Sequence, residues 1–441
     1  MENKRKMILA MQVGSGYGIE PGAWQMPNAD PTAYMNMDLL VEFAKIAERG
    51  KIQMIFFADT PALANDLSHQ PPQSPIEPMI AMTAMARETE RIGFVSTIST
   101  TFNYPYNVAR QLKALDVISN GRIGVNFVTT SHPVAALNYA DKIPSRKERY
   151  EKAHEFIQIV QALWGSWGAD ALLLDAENGK FADMEKIKAI NMAGEHFQSQ
   201  GPLPIPPSAQ GQPVIFTAGG SEETLKILGA YGSGLYTNPY DSESARVYRE
   251  IFRTGAKQFG RSPDEIKVIP GIIPSIAATK EEALERRRQL DRNADLRGKV
   301  QYLGSMIGLP LSYDQIDQPV PKKMLEYASA NPQDPRSSHA LALVKTGIPI
   351  RDVLAHGVIN YHPVIAGTAE EVADFMEEWF MKDACDGFAI QPDVSFDGIA
   401  DFVDQVIPIL QERGLFHDDY EGTTLREHMG ISYQYGLEKK L

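Results

Sequence analysis

Three stretches of this chain combine residue types that can hold a phosphate or a polar ring. Ala218-Gly219-Gly220-Ser221-Glu222-Glu223 sets two glycines and a hydroxyl ahead of a helical pattern. At such a junction free backbone N–H groups and the positive end of the helix can meet an anion, although Ser221 also suits a plain N-cap. Arg146 and Tyr150 stand four residues apart at the start of another helical pattern, with Arg149 between them. A guanidinium and a phenol on one helix face can converge on a phosphate or a carboxylate, or form an ordinary solvated first turn. The hydroxyl cluster Ser96-Thr97-Ile98-Ser99-Thr100-Thr101 and the pair of segments Asn126 and Thr129-Thr130-Ser131 follow apolar runs. They suit a polar heterocycle or its phosphate, and equally suit strand packing and helix capping. Asp59 closes the run Met54-Ile55-Phe56-Phe57-Ala58 as a cap, a structural acceptor or a ligand group.

Other chemistries lack their residues. Gly14-Ser15-Gly16-Tyr17-Gly18 has the wrong spacing for a dinucleotide fingerprint, and there is no Walker loop. No G-x-S-x-G elbow marks a hydrolase. The nine histidines are scattered without H-E-x-x-H spacing, His356 and His362 being a poor pair for one helix, so no metal is expected. The single cysteine, Cys385, rules out an internal disulfide framework, reads as a small buried apolar residue and suits a reducing, cytoplasmic setting.

These residues must be positioned by a repeating unit of short apolar run, turn and long helical pattern, which predicts a parallel sheet wrapped by helices. Eight strands are expected, at Met7–Val13, Gln53–Ala58, Ile92–Thr97, Ile123–Val128, Pro213–Ala218, Ser233–Thr237, Ile266–Gly271 and Gly387–Gln391. Eight favour a closed barrel, whose chemistry sits at the C-terminal ends of its strands. Helices are expected over Asn36–Arg49, Pro75–Thr89, Val108–Ile118, Lys147–Trp164, Glu222–Ala230, Ser242–Phe259, Lys280–Arg292 and Ile399–Glu412. In Lys147–Trp164, the residues Tyr150, Ala153, Ile157, Val160 and Trp164 form one apolar stripe. Two stretches, about 165–212 and 300–365, exceed ordinary loops and read as insertions that cover a site or form a surface. A length of 441 residues would hold about three average domains, but the strand count points to one barrel domain over 1–441 carrying these insertions. The net charge of −13 sets nucleic acid aside, and no apolar run is long enough to span a bilayer. The basic start Met1–Met7 reads as the run-in to the first strand.

Several motifs, in order along nearly the whole chain, resemble the bacterial luciferase-like FMN-dependent monooxygenases, within them the nitrilotriacetate, EDTA and dibenzothiophene-sulfone branch. They include Gly22-Ala23-Trp24, Ile55-Phe56-Phe57-Ala58-Asp59, Thr97-Ile98-Ser99-Thr100-Thr101 and Leu115-Asp116-Val117-Ile118-Ser119-Asn120-Gly121-Arg122. Arg149-Tyr150-Glu151-Lys152-Ala153, Ala218-Gly219-Gly220-Ser221, Asp386-Gly387-Phe388 and Thr424-Leu425-Arg426-Glu427 continue the series. The resemblance implies a TIM (β/α)8 barrel, a cytoplasmic homodimer or homotetramer, and a two-component enzyme. It would receive FMNH2 from a separate NAD(P)H:FMN reductase and use O2 to oxygenate a small polar substrate of thioether, organosulfur or aminopolycarboxylate type, with C–S or C–N cleavage. By the same resemblance the FMN contacts fall on Asp59, Thr97, Tyr150 and Ser221, with Asn126 near the ring, while Arg146 suits the phosphate. Two positions depart from the pattern: Arg146 replaces a histidine found in a relative, and Gly18-Ile19-Glu20-Pro21-Gly22 lacks a histidine that some relatives carry. No catalytic acid or base is assigned. A deazaflavin-dependent oxidoreductase and a non-catalytic flavin-binding protein are the alternatives.

Overall fold

The computed structural model describes residues 5–63, 66–68, 70–72, 74–139, 142–292 and 294–435; the first four residues of the basic start lie outside that set. Eight parallel strands form the barrel: β1 (Ile8–Gln12), β2 (Met54–Phe57), β3 (Gly93–Ser99), β4 (Ile123–Val128), β5 (Val214–Ala218), β6 (Gly234–Thr237), β7 (Lys267–Ile276) and β8 (Gly387–Ile390). Each pairs with the next, and β8 returns to β1 through Ile8 opposite Gly387, so the sheet closes. All eight expected strands are present, with ends shifted by a few residues. The largest shift is in β7, which runs on to Ile276 because a short extra strand, Val364–Gly367, pairs with its far half.

Helices cover the outside of the sheet. Met37–Arg49 starts at the Asn36 side chain, which accepts from Leu39 N, and Pro78–Glu88 starts at Glu77. Pro105–Ile118 begins three residues before the expected start because Pro105 fits the first helical turn. In Arg146–Trp164 the expected stripe is buried at Ala153, Ile157, Val160 and Trp164 against the main core. The last predicted helix divides into Ser395–Asp401, a π turn over Phe402–Val406 and Ile407–Glu412. Ala369–Met381, outside the predicted set, adds a further covering helix capped by Thr368 and Glu371.

The two insertions take different places. Residues 165–212 fold into short antiparallel pairs, Leu172–Asp175 with Lys180–Ala182 and Met192–Ala193 with Gln198–Ser199. They lie along Arg146–Trp164, where the Glu155 carboxylate accepts from His196 N, and reach the start of β4, where Gln210 Nε2 donates to Ile123 O. Residues 300–365 pack helices Leu296–Ile307, Ser337–Val344 and Ile350–Ala355 around their own apolar cluster. Among the described residues no helix is long and apolar enough to cross a membrane.

Strand alternation sends Ile8, Ala10, Met54, Phe56, Val95, Val214, Phe216 and Ile269 into the barrel interior. The floor is closed by Leu425, from the short helix Leu425–His428. A Cβ on Gly93 would lie 2.7 Å from Leu425 Cδ1, so glycine there makes room for the plug. Leu425→Ala should therefore leave a cavity at the barrel floor and cost about 3 kcal/mol, seen as a lower urea midpoint with an unchanged slope. An unaltered midpoint would mean that the tail does not contribute to stability.

Candidate functional site

The same alternation that fills the interior decides what stands at its mouth. Where the strands end, the inward positions change from apolar to polar: Gln12 ends β1, Thr97 lies near the end of β3, Asn126 is in β4, Tyr236 is in β6 and Gln391 follows β8. Asn126 Nδ2 donates to Thr97 Oγ1 at 3.0 Å, leaving Asn126 Oδ1 buried without a hydrogen-bond partner. Three clefts open from this rim.

The first, about 580 Å³, is lined by Asp59, Glu77, Thr97, Ser99, Asn103 and Tyr139 among others. Burial, and next the nearby Glu77 carboxylate, push Asp59 up to about 6. Asp59 starts no helix; Glu77 caps Pro78–Glu88 by accepting from Ile80 N. The cap alternative for Asp59 is thereby set aside, and a partly desolvated carboxylate remains beside Thr97.

The second cleft, about 140 Å³, lies between the ends of β4 and β5 and is lined by Thr100, Thr129, Tyr150, Thr217 and Thr224, among others. Ser221 caps Glu222–Tyr231, its hydroxyl accepting from Thr224 N at 3.2 Å. The Tyr150 and Ser221 hydroxyls stand 3.5 Å apart. Burial alone would raise the Tyr150 phenol, but hydrogen bonds with Ser221, Thr224 and Thr129 and the charge of Arg146 bring it below its ordinary value. Arg146 lies over the Tyr150 ring and donates to Glu223 Oε2 at 2.8 Å, its side chain 60% exposed. Arg149 turns back instead, donating to Pro144 O at 2.8 Å.

The third cavity, about 360 Å³, was not expected as a site. It is lined by Gln12, Glu20, Tyr236, Tyr361, His362 and Gln391 among others. Tyr236 Oη is 2.7 Å from His362 Nε2 and accepts from Gln391 Nε2 at 2.8 Å. Burial lowers His362 to about 4, so its imidazole is neutral at physiological pH. The 300–365 insertion thus supplies Tyr361 and His362 to the mouth, whereas 165–212 supplies no lining residue to any of the three clefts. Tyr236 and Gln391 were legible as inward residues at strand ends; His362 was not, because its place depends on how the insertion folds back.

The expected residues therefore fall into two groups on one face of the barrel. Asp59 and Thr97 share the first cleft; Tyr150 lines the second, with Ser221 and Arg146 placed against Tyr150 rather than in the lining itself. The groups adjoin through Ser99 and Thr100, consecutive residues lining one cleft each. Among the described residues no group of three or more His, Cys, Asp or Glu is placed to hold a metal ion. Cys385 is fully buried in the main core.

Comparison with known proteins gives a consistent picture. The luciferase-like monooxygenase family model matches residues 11–382. N-acetyl-S-(2-succino)cysteine monooxygenase of Bacillus subtilis (strain 168) is 39% identical over 438 residues, covering 98% of both chains. Nitrilotriacetate monooxygenase component A of Aminobacter aminovorans is 32% identical, with 94% of both chains covered. Among solved structures, EDTA monooxygenase from Chelativorans sp. BNC1 superimposes with a TM-score of 0.82 at 29% identity, over 98% of this chain and 100% of that one.

The environment of Asp59 has a measurable consequence. Its folded value lies above the unfolded one, so its stabilising contribution is present at low pH and is lost as pH rises through about 6. Asp59→Asn should raise stability at pH 8 by on the order of 2 kcal/mol and leave it unchanged below pH 4. Melting curves of the two proteins across that range check this; parallel curves would place the carboxylate in ordinary solvent.

Proposed function

Given that this chain belongs to the luciferase-like monooxygenases, we propose that it is the oxygenating component of a two-component system, binding FMNH2 at the barrel mouth and acting on a small organic substrate. The observation that carries this reading is the cluster at the start of helix Glu222–Tyr231: the Tyr150 phenol lines the second cleft, the Ser221 hydroxyl stands 3.5 Å from it and Arg146 lies over its ring. Those are the donors a phosphate monoester needs. Adjoining them, Asn126 Oδ1 and the Asp59 carboxylate are acceptors that suit the N–H groups of a reduced flavin ring, and the unpartnered Asn126 oxygen fits such a group.

When bound, FMNH2 supplies the two electrons with which one oxygen atom of O2 goes to the substrate and the other to water. The chain contributes position and dryness. Ser221, Tyr150 and Arg146 hold the phosphate; Asp59, Thr97 and Asn126 orient the ring; the folded 300–365 segment, through Tyr361 and His362, excludes water from the mouth. A separate NAD(P)H:FMN reductase supplies the cofactor, in keeping with the lack of a dinucleotide fingerprint in the chain. The substrate is a thioether or other organosulfur compound, or an aminopolycarboxylate, cleaved at C–S or C–N. The 39% identity to an enzyme named for a thioether substrate favours C–S cleavage. The site works in the cytoplasm, in a homodimer or homotetramer.

Anaerobic titration with FMNH2 should show binding, and subsequent oxygen uptake should rise when a thioether substrate is present. Reduction of a substrate without oxygen uptake would favour the deazaflavin class. Tight binding of oxidised FMN with no substrate-dependent uptake would favour a flavin-binding protein. Within this scheme Ser221→Ala should weaken FMNH2 binding about tenfold, the value of a charge-assisted hydrogen bond. Its melting temperature should drop only by the loss of one helix cap. Arg146→Glu should weaken binding without unfolding, and unchanged affinity would return Arg146 to the solvated surface.

A further inference from the structure

The cavity over Tyr236 differs in chemistry from the two clefts given to the flavin. Its inner end is built from neutral groups. Tyr236 stacks on Phe56 with ring centroids 5.6 Å apart, its hydroxyl accepts from the Gln391 amide at 2.8 Å, and Gln12 lines the same cavity. The hydroxyl and His362 Nε2 stand 2.7 Å apart, and His362 Nδ1 is buried with no hydrogen-bond partner. That nitrogen is turned away from the cavity toward β7: a Cβ on Gly271 would lie 2.6 Å from it and from Gln391 Nε2. Gly271 thus allows the imidazole to sit flush with the strand. Once these bonds are counted, Gln12 Oε1 is a buried acceptor with no hydrogen-bond partner, at the end of β1 where the cavity begins.

The charges around this cavity are already matched. Glu20 lines it, but Glu20 Oε1 accepts from Arg287 at 2.6 Å and from Asn360 Nδ2 at 2.7 Å. The neighbouring Arg286 donates to both Asp393 and Asp397. Among the described lining residues none is Lys or Arg. A carboxylate is acceptor-only, so against Gln12 Oε1 it would meet a like dipole and leave water without a cation to pair with. A donor such as an amide N–H would satisfy that oxygen, while Val13, Ile19, Ala58, Pro71 and Pro72 offer apolar wall to a thioether body.

We propose that this cavity is the organic-substrate subsite and that Gln12 selects an uncharged hydrogen-bond donor, an amide N–H, over a carboxylate at its inner end, with Tyr236, His362 and Gln391 as positioning residues for Gln12. This rests on the monooxygenase reading above and narrows its substrate to a thioether whose inner group is an amide.

Isothermal titration of the flavin-free protein with two probes tests it: 3-(ethylthio)propanamide and 3-(ethylthio)propanoate, which differ only in amide against carboxylate. The amide should bind at least tenfold more tightly. Gln12→Met, which keeps side-chain length and removes the amide, should abolish that preference, and Tyr236→Phe should reduce it, while FMN affinity changes less than twofold in either variant. Equal or tighter binding of the carboxylate overturns the proposal, as does an undiminished preference in Gln12→Met or no binding of either probe. A protein that binds the amide selectively but binds no FMN in either redox state would instead overturn the monooxygenase reading and leave the selectivity standing.

Discussion

A closed eight-stranded parallel sheet has room for one stack of inward side chains, and the rest of this molecule depends on how that stack is filled. Alternation along each strand commits every second residue to the interior. Below, those positions are Ile8, Ala10, Met54, Phe56, Val95 and Phe216, and Leu425 completes the packing from the tail. One or two steps further along the same strands, the inward positions become Gln12, Thr97, Asn126, Tyr236 and Gln391. The apolar stack holds the barrel closed by burial, and the polar rim inherits fixed positions because it lies on the same strands. A site built on strand ends is more rigid than one built on loops, which suits the proposed task of holding a reactive cofactor.

Charge is handled by the same economy. With a net charge of −13, the anionic cofactor proposed above would approach against the overall field, so attraction has to be local. Most buried cations are occupied elsewhere: Arg249 with Asp386, Arg286 with Asp393 and Asp397, Arg287 with Glu20. Arg146 differs, being exposed and, among the described residues, paired with Glu223 at the start of Glu222–Tyr231. An exposed pair of this kind is weak, so the proposed phosphate would compete with Glu223 for the guanidinium. In the proposed site the helix start and the Ser221 and Tyr150 hydroxyls would supply the remainder without any net charge.

Many of the motifs that carry the family resemblance belong to the fold rather than to the site. Asp116 is buried at the N-terminal end of the barrel, accepting from Gln210 Nε2 at 2.6 Å and from Ile123 N at 3.2 Å. Arg122 donates to the carbonyls of Ala86, Thr89 and Ile92, joining the end of one helix to β3 and β4. Asp386 takes Arg249 on one oxygen and Val268 N on the other, tying β8 to β7. Each of these groups is satisfied within the fold at the face opposite the rim, where a barrel's residues serve stability. They explain how a resemblance can be specific for a family while leaving the substrate open.

The sequence alone determined the barrel, because apolar runs of strand length separated by helical stripes have a parallel sheet as their natural solution, and all eight strands were legible from that period. It also determined Asp59, Thr97, Tyr150 and Ser221 as residues of the C-terminal face, since each stands directly after a strand or at a helix start that such a barrel must place there. What only the tertiary structure decided was long-range. That His362 meets Tyr236 across 126 residues, that Glu20 is neutralised by Arg287 and Asn360, and that residues 300–365 reach the mouth while 165–212 run toward the floor are outcomes of packing. Periodicity specifies which face of an element is buried, but not which distant side chain fills the space opposite it; that is settled by volume and by the pairing of polar groups once the chain has closed.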